Sequence, residues 1–242
     1  MNENFNTLNV IEKILLSTKN VRRIPFSEFS RIFITSKNLR QTLTGLEERG
    51  LIDLKNGVLE VSKIQRVRLA FTALTEHLSL EMVCRYLEWD EFEQLLSALF
   101  SHYDYTVRRN LHIKHRGKKL QIDFLAVKDQ VILCVDCKHW RYGYGQSRMK
   151  TAAKKQEARA KAITPSLLIS QKNNRSRTFY VVPVILVLLD IPFRFIENIP
   201  IVPVHKLTDF IDNFPPIPDS RFKYFTVKDV DDGIHLSYEG FS

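Results

Sequence analysis

The 242 residues are 44% hydrophobic and 26% charged, an ordinary soluble composition with room for two cores. Met1-Asn2-Glu3-Asn4 is polar and no basic region leads into an apolar run, so no signal peptide is expected. The longest apolar stretch, Phe179 to Ile191, is interrupted by Pro183 and Asp190. It is too short to cross a bilayer, so a buried strand is expected and no membrane partner. Three cysteines (Cys84, Cys134, Cys137) are an odd number that speaks against a disulfide framework and for a reducing cytoplasm. The net charge of +9 is concentrated: from Thr106 to Arg177, eighteen Lys or Arg face only Asp123, Asp129, Asp136 and Glu157. That window carries +14, leaving 9 − 14 = −5 for the rest. A basic middle segment is what a polyanion-binding surface produces, the competing reading being a solvated face without a partner.

Leu8 to Leu16 has apolar residues at helical spacing and predicts a first helix. Pro25 stands where a second short helix would begin, through Phe26, Phe29 and Phe33. Ser36 is the expected N-cap of a third helix, with Leu39, Leu43 and Leu46 on one stripe and Gly50 as its stop. Leu51–Lys55 and Val58–Ser62 read as strands joined by Asn56-Gly57, a two-residue hairpin signal. Three helices and a hairpin are the winged-helix order, and NLRQTLTGLEERGLIDLKNGVLEVS resembles the recognition helix and wing of that superfamily. The resemblance implies a DNA-binding domain over residues 1–62, with Lys37 and Arg40 meeting the duplex; protein contact is the competing use. Residues 63–88 read as a helical connector in two pieces, the second capped by Ser79.

From Trp89 the order becomes helix, three strands, helix, strand, helix. Asp90 is expected to cap a helix to about His102. Thr106–Ile113, Lys119–Val127 and Gln130–Lys138 are expected as a meander turning at Gly117 and Lys128-Asp129. A helix over Ser147–Ile163, a strand over Phe179–Leu189 and a helix from Val204 to Phe214 follow. The last segment, 215–242, contains Asp232-Gly233 between β-like runs and suggests a hairpin.

Side chains alternate across a strand, so Asp136 and Lys138 share a face and Cys137 takes the other. The tight turn at Lys128-Asp129 brings Asp123 back beside Asp136. Two carboxylates and an ammonium thus converge at the end of an apolar strand, Ile132-Leu133-Cys134-Val135. Hard oxygen donors suit Mg²⁺, with Mn²⁺ as a substitute, and a nearby lysine suits orientation of an attacking water. The competing reading is a structural ion pair.

Ile122-Asp123, thirteen residues to Asp136, then x-Lys138, resembles the PD-(D/E)xK nuclease superfamily, and VILCVDCKHW looks most like its Mrr-type restriction endonucleases and archaeal Holliday-junction resolvases. The likeness covers residues 89–214. It implies an α/β, restriction-endonuclease-like fold, a mixed central sheet flanked by helices, preceded by the α+β winged-helix domain. It implies a metal-dependent DNA endonuclease in restriction, repair or recombination. In those families a helix before the sheet supplies a further acid in a phrase like F-E-x-L; Phe92-Glu93-Gln94-Leu95 selects Glu93, which helical geometry alone does not separate from Glu91. Asp123, Asp136 and Glu93 would then be the metal ligands and Lys138 the water-positioning group. Ile122 replaces the usual proline and Asp136 the usual longer acid or amide, which shifts the metal position.

On the helix after the third strand, Met149, Ala152, Ala153, Gln156, Ala160 and Ile163 form a small-residue stripe. Gln156, its one polar member, is a candidate for the metal-bound water or a phosphate, the alternative being a glutamine bonded to backbone. Arg148, Lys154 and Lys155 would track phosphates, together with Arg108, Arg109, His139, Arg141 and Tyr142 around the site. Cys134-Val135-Asp136-Cys137 is formally C-x-x-C, but its sulfurs point to opposite faces in a strand, against a zinc site. No phosphate-binding loop is present, so no nucleotide cofactor is expected. DNA is the expected partner and a homodimer the expected assembly. The alternative function is a winged-helix regulatory or structural DNA-binding protein with an inactive nuclease-like domain.

Overall fold

The computed structural model describes residues 3–31, 36–115, 117–140, 145–163 and 177–229. Contacts divide the chain into Met1–Leu96 and Ser97–Ser242.

In the first unit, α1 (Glu3–Ser17) buries Val10, Ile11, Ile14 and Leu15, one face of a helix. The segment after it departs from expectation. Arg23–Pro25 is a strand, β1, and the expected short helix begins one residue after Pro25, as a 3₁₀ helix over Phe26–Arg31. Phe33 lies outside the described residues. Three strand residues offer no periodicity to read, and Pro25 is tolerated because β1 is an edge strand. Helix α2 (Ser36–Glu48) turns Leu43 and Leu46 inward and leaves Lys37 and Arg40 exposed. It stops at Gly50, at φ 65°, where Leu51 N–H bonds to Leu46 O (2.9 Å) and Gly50 N–H to Glu47 O (2.7 Å). That bond pair is the Schellman C-cap. β2 (Asp53–Lys55) and β3 (Val58–Glu60) form the expected hairpin, with Asn56 and Gly57 at φ 50° and 76°, as a type I′ turn requires. β1 pairs antiparallel with β3, giving the sheet order β1-β3-β2.

α3 (Lys63–Thr75) begins with a capping box. Ser62 Oγ accepts from Gln65 N–H, and Gln65 Oε1 accepts from Ser62 N–H. α4 (Leu80–Tyr86) is capped by Ser79, as expected. Helix α5 (Trp89–His102) runs across the division between the units. Asp90 does not cap it: Glu91 Oε2 reaches back to Glu88 N–H (2.9 Å), while Asp90 pairs with Lys63 (2.8 Å). An acid three positions into a helix is placed for that reach; Asp90, two positions in, is not.

In the second unit, β4 (Thr106–His115), β5 (Lys118–Lys128) and β6 (Val131–Lys138) form the expected antiparallel meander. α6 (Gln146–Lys161) leads to β7 (Arg177–Val187), parallel to β6. Two strands were not foreseen: β8 (Phe195–Ile196) and β9 (Ile199–Pro203), the latter parallel to β7. β9 is buried at all five positions, so it shows no alternation. The expected helix from Val204 is a 3₁₀ turn followed by α7 (Leu207–Asp212). β10 (Phe225–Asp229) pairs antiparallel with β7; Asp232-Gly233 lies outside the described residues. The sheet is mixed, in the order β4-β5-β6-β7-β9-β8.

Helices cover both faces. Phe100 of α5 packs 5.4 Å from Phe124, while Met149, Ala152, Ala153 and Ala160 of α6 pack against the opposite face with Ile132, Cys134, Ile185 and Val187. Pro183 is accommodated inside β7 because the strand's far neighbour changes there. β10 pairs it up to Val181 and β9 only from Ile185, so the missing donor falls in the gap.

Candidate active site

β5 and β6 stay in register as far as Phe124 opposite Val135, and one step further Asp123 stands opposite Asp136. There the ladder ends. Asp123 Oδ2 accepts the Cys137 backbone N–H at 2.7 Å, taking the part a neighbouring strand's carbonyl would play. Both carboxylates are buried, Asp123 at 8% exposure and Asp136 at 2%. Asp136 Oδ1 accepts from Arg159 Nη1 of α6 at 2.8 Å. Its Oδ2 lies 2.6 Å from Lys138 Nζ, a second ion pair. Alternation thus does what was expected: Asp136 and Lys138 share a face, and the buried Cys137 takes the other.

Two acids and two cations make a cluster of zero net charge in a place with little water. Burial holds the Asp123 carboxyl above the usual carboxylate range, and the Asp136 charge adds to that. The Cys137 N–H, Lys138 and Arg159 act in the other direction without cancelling it. The ion-pair alternative is therefore part of the answer, since Asp136 is paired twice.

Gln156 requires a correction. It is fully buried, and its Nε2 donates to Cys134 O (2.6 Å) and Val184 O (3.3 Å), joining adjacent strands. With both amide protons spent on backbone, it does not serve a water or phosphate. Its Oε1 instead accepts from Arg159 Nη1 at 3.1 Å, so it steadies the arginine that holds Asp136. Arg159 was not singled out by the sequence, where it is one of several cations on a basic helix. The available signal was spacing: a residue three after Gln156 stays on nearly the same side.

Lys138 Nζ also lies 5.8 Å from the Trp140 ring centroid, and the Arg148 guanidinium lies 3.7 Å from the same centroid. Lys155 and Lys154 are exposed on α6, as are Arg108 and Arg109 on β4, while His139 is half-buried just past β6. Arg141 and Tyr142 lie outside the described residues. Glu93 is half-buried on the part of α5 that belongs to the first unit. Its neighbour Glu91 is fully buried in ion pairs with Arg66 (3.0 Å) and Arg22 (2.8 Å), which commits it to structure. Cys134 and Cys137 are buried, and burial pushes the Cys134 thiol up. Among the described residues, no group of three or more His, Cys, Asp or Glu is placed to hold a metal ion. Nor is any helix of the described residues long and apolar enough to cross a membrane.

The donor set fits a hard divalent cation that keeps several waters, not a protein cage. Asp123 and Asp136, two adjacent buried carboxylates, are the oxygens such a cation would take, in competition with Lys138 and Arg159.

Residues 82–187 match the family profile described as NERD, the nuclease-related domain. The stretch contains every residue of the four-charge cluster. A relative from Archaeoglobus fulgidus, described as an uncharacterized protein, is 26% identical over 128 residues, covering 52% of this chain and 92% of its own. Among solved structures, the protein VC1899 from Vibrio cholerae aligns over 85% of this chain and 49% of its own, with TM-score 0.38 and 10% identity. Can2 from Sulfobacillus thermosulfidooxidans, solved in complex with cyclic tetra-adenylate, aligns over 86% and 50%, with TM-score 0.33 and 11% identity. This chain spans about half the length of these two solved chains.

Proposed function

We propose that this protein is a DNA endonuclease that hydrolyses phosphodiester bonds with Mg²⁺ or Mn²⁺ bound at Asp123 and Asp136. The observation that carries the reading is the pair of buried carboxylates, Asp123 and Asp136, on adjacent strands at the end of the β5–β6 ladder, with Lys138 Nζ 2.6 Å from Asp136 Oδ2. The nuclease-related match over the same residues supports it. When bound, the metal supplies Lewis-acid activation of water and compensates the paired negative charge. The chain's own groups supply the rest. Arg159 fixes Asp136 through Oδ1, while Oδ2 faces the Lys138 ammonium, with which a bound metal would share it. Lys138, at the partly exposed end of β6, is placed to hold the attacking water and to stabilise charge developing on a phosphate oxygen. Glu93 enters this reading through the family resemblance, as a third acid. Residues 89–214 would then be the nuclease domain, with β10 of the following segment completing its sheet beside β7.

The order of α1, α2 and the hairpin, with the sheet order β1-β3-β2, supports a winged-helix reading of residues 1–62. Lys37 and Arg40, exposed on α2, are its candidate DNA contacts. A homodimer is the arrangement by which one such site serves each strand of a duplex.

The test is cleavage of duplex, single-stranded, flapped and four-way DNA with Mg²⁺ or Mn²⁺, comparing wild type with Lys138→Ala, Asp123→Asn and Glu93→Gln. Metal-dependent cutting by the wild type that is lost in Lys138→Ala and Asp123→Asn is the expected result. Tight binding without cutting of any of these DNAs would replace the enzyme with a binding module. Full activity in Glu93→Gln would remove Glu93 from the site.

A further inference from the structure

We infer that one flank of α6, marked by Arg148, Lys155 and Arg159, is the track for a DNA strand leading into the carboxylate cluster, and that the outer face of the same helix is not. The inference rests on the proposed DNA-cleaving function and assigns the surface that delivers the substrate.

At 3.6 residues per turn, steps of seven and four return to nearly the same direction, so Arg148, Lys155 and Arg159 form one stripe. Ala152, four after Arg148, lies on it too, and it is buried against the sheet. The two ends of the stripe are pinned to the end of β6 and the residues just after it. The Arg148 guanidinium stacks 3.7 Å from the centroid of Trp140, and Arg159 Nη1 is 2.8 Å from Asp136 Oδ1. Between them Lys155 is exposed. Eleven residues of helix span roughly 16 Å, several phosphates of a DNA strand at about 3.4 Å of axis each. Lys138, the partly exposed cation of the cluster, lies 5.8 Å from the Trp140 centroid and 2.6 Å from Asp136, so it stands within the same stripe of charge.

The rest of α6 is the internal control. Lys150 and Lys154 are four apart on the face turned away from Asp136, about half a turn from Arg159. They line a separate groove with Gln146, Ser147 and Thr151. Charge alone would rank this face equal to the flank. Geometry separates them, because only the flank touches the residues that would do chemistry. This revises the expectation that Lys154 belongs with Arg148 and Lys155.

The experiment is equilibrium binding of a short duplex DNA to the full chain, without divalent cations so that nothing is cut, at several salt concentrations between about 50 and 200 mM. The dependence of log affinity on log salt loses about 0.9 per phosphate contact removed from duplex DNA. Arg148→Gln/Lys155→Gln is expected to lower the slope by about 2, and Lys150→Gln/Lys154→Gln to leave it unchanged. Because Arg148 also packs on Trp140, Lys155→Gln alone is the second variant, expected to lose about 0.9. Equal losses for the two faces, or a loss confined to the outer face, overturn the track and leave the nuclease reading standing. No salt-dependent duplex binding by the wild type overturns both. A slope change seen with single-stranded RNA alone overturns the duplex occupant.

Discussion

Arg159 and Asp136 meet at 2.8 Å where the side of α6 faces the end of β6, and Gln156, three residues before the arginine, holds it in that position at 3.1 Å. On the proposed reading, the arginine would act on a bound metal through the orientation of a carboxylate. Outer partners of metal ligands typically contribute about 10–100-fold to affinity or activity. Arg159→Ala is expected to lose metal affinity on that scale, read by calorimetry with Mn²⁺ alone, and to lose cleavage in parallel. Arg159→Lys should recover part of both, since a lysine keeps the charge but not the fork. Unchanged Mn²⁺ affinity in Arg159→Ala would reduce the pair to a structural ion pair.

Asp123 gives a pH-dependent consequence with a definite sign. Its carboxyl titrates above the usual carboxylate range, chiefly through burial and then through Asp136. A raised folded-state value means that stability from this group is present below the unfolded value and lost as pH rises through the folded one. Metal-free protein should therefore lose stability over that window, and Asp123→Asn should lack this component and be more stable than wild type at neutral pH. Urea titrations of both proteins across the acid range read the difference directly. Metal binding follows the opposite course, because it needs the ionised carboxylate: Mn²⁺ affinity of the wild type should fall on acidification sooner than an ordinary carboxylate would dictate. A wild-type and variant stability difference that is flat with pH would contradict the assignment.

A second buried charge cluster holds the first unit together without any part in the chemistry. Arg66, fully buried, donates to Glu91, to Thr18, and to the carbonyls of Leu15 and Tyr86, so α1, α3, α4 and α5 are tied by one side chain. Arg22 joins it through Glu91 and Glu88. Removing one partner of such a set leaves an unmatched buried charge, at a cost of about 3–5 kcal/mol. Glu91→Gln is expected to destabilise by that amount in chemical denaturation, whereas Asp90→Asn, which loses only a pair exposed to solvent, should cost under about 1 kcal/mol. Similar small losses for both would show that water reaches Glu91.

What sequence conveyed and what it hid follow the range of each interaction. The Asn56-Gly57 turn, the Ser79 helix start and the β4–β6 meander are set by neighbours in the chain, and each was recoverable from a few residues. Asp136 and Lys138 on one face follow from a period of two. The Asp123–Cys137 bond depends on where the β5–β6 ladder ends, which the tight turn nearly dictates. By contrast β1 and β9 are short strands stabilised by partners distant in the chain, with no alternation of their own to display. Arg159 was hidden for a related reason: an arginine on a basic helix looks solvated until the strand beneath it presents a buried acid. Asp90 and Glu91 differ only in whether the side chain reaches back to Glu88, a matter of one position in the first turn.

Gln156 joins the two kinds of information, because a lone amide on a small-residue stripe was visible in sequence and its partners were not. Its Nε2 serves two backbone carbonyls, Cys134 on β6 and Val184 on β7 beside the gap left by Pro183. Replacing it with methionine keeps the volume and strands both carbonyls, at a cost of about 1–3 kcal/mol. The same change frees Arg159 from its 3.1 Å contact, so Mn²⁺ affinity should fall with stability. Gln156→Glu separates the two effects. The added acid competes with Asp136 for Arg159 and, as an acceptor, cannot donate to the carbonyls. Gln156→Glu should therefore weaken Mn²⁺ binding more than Gln156→Met at comparable loss of stability. Wild-type Mn²⁺ affinity in both variants would mean that Gln156 supports the sheet and does nothing for the position of Arg159.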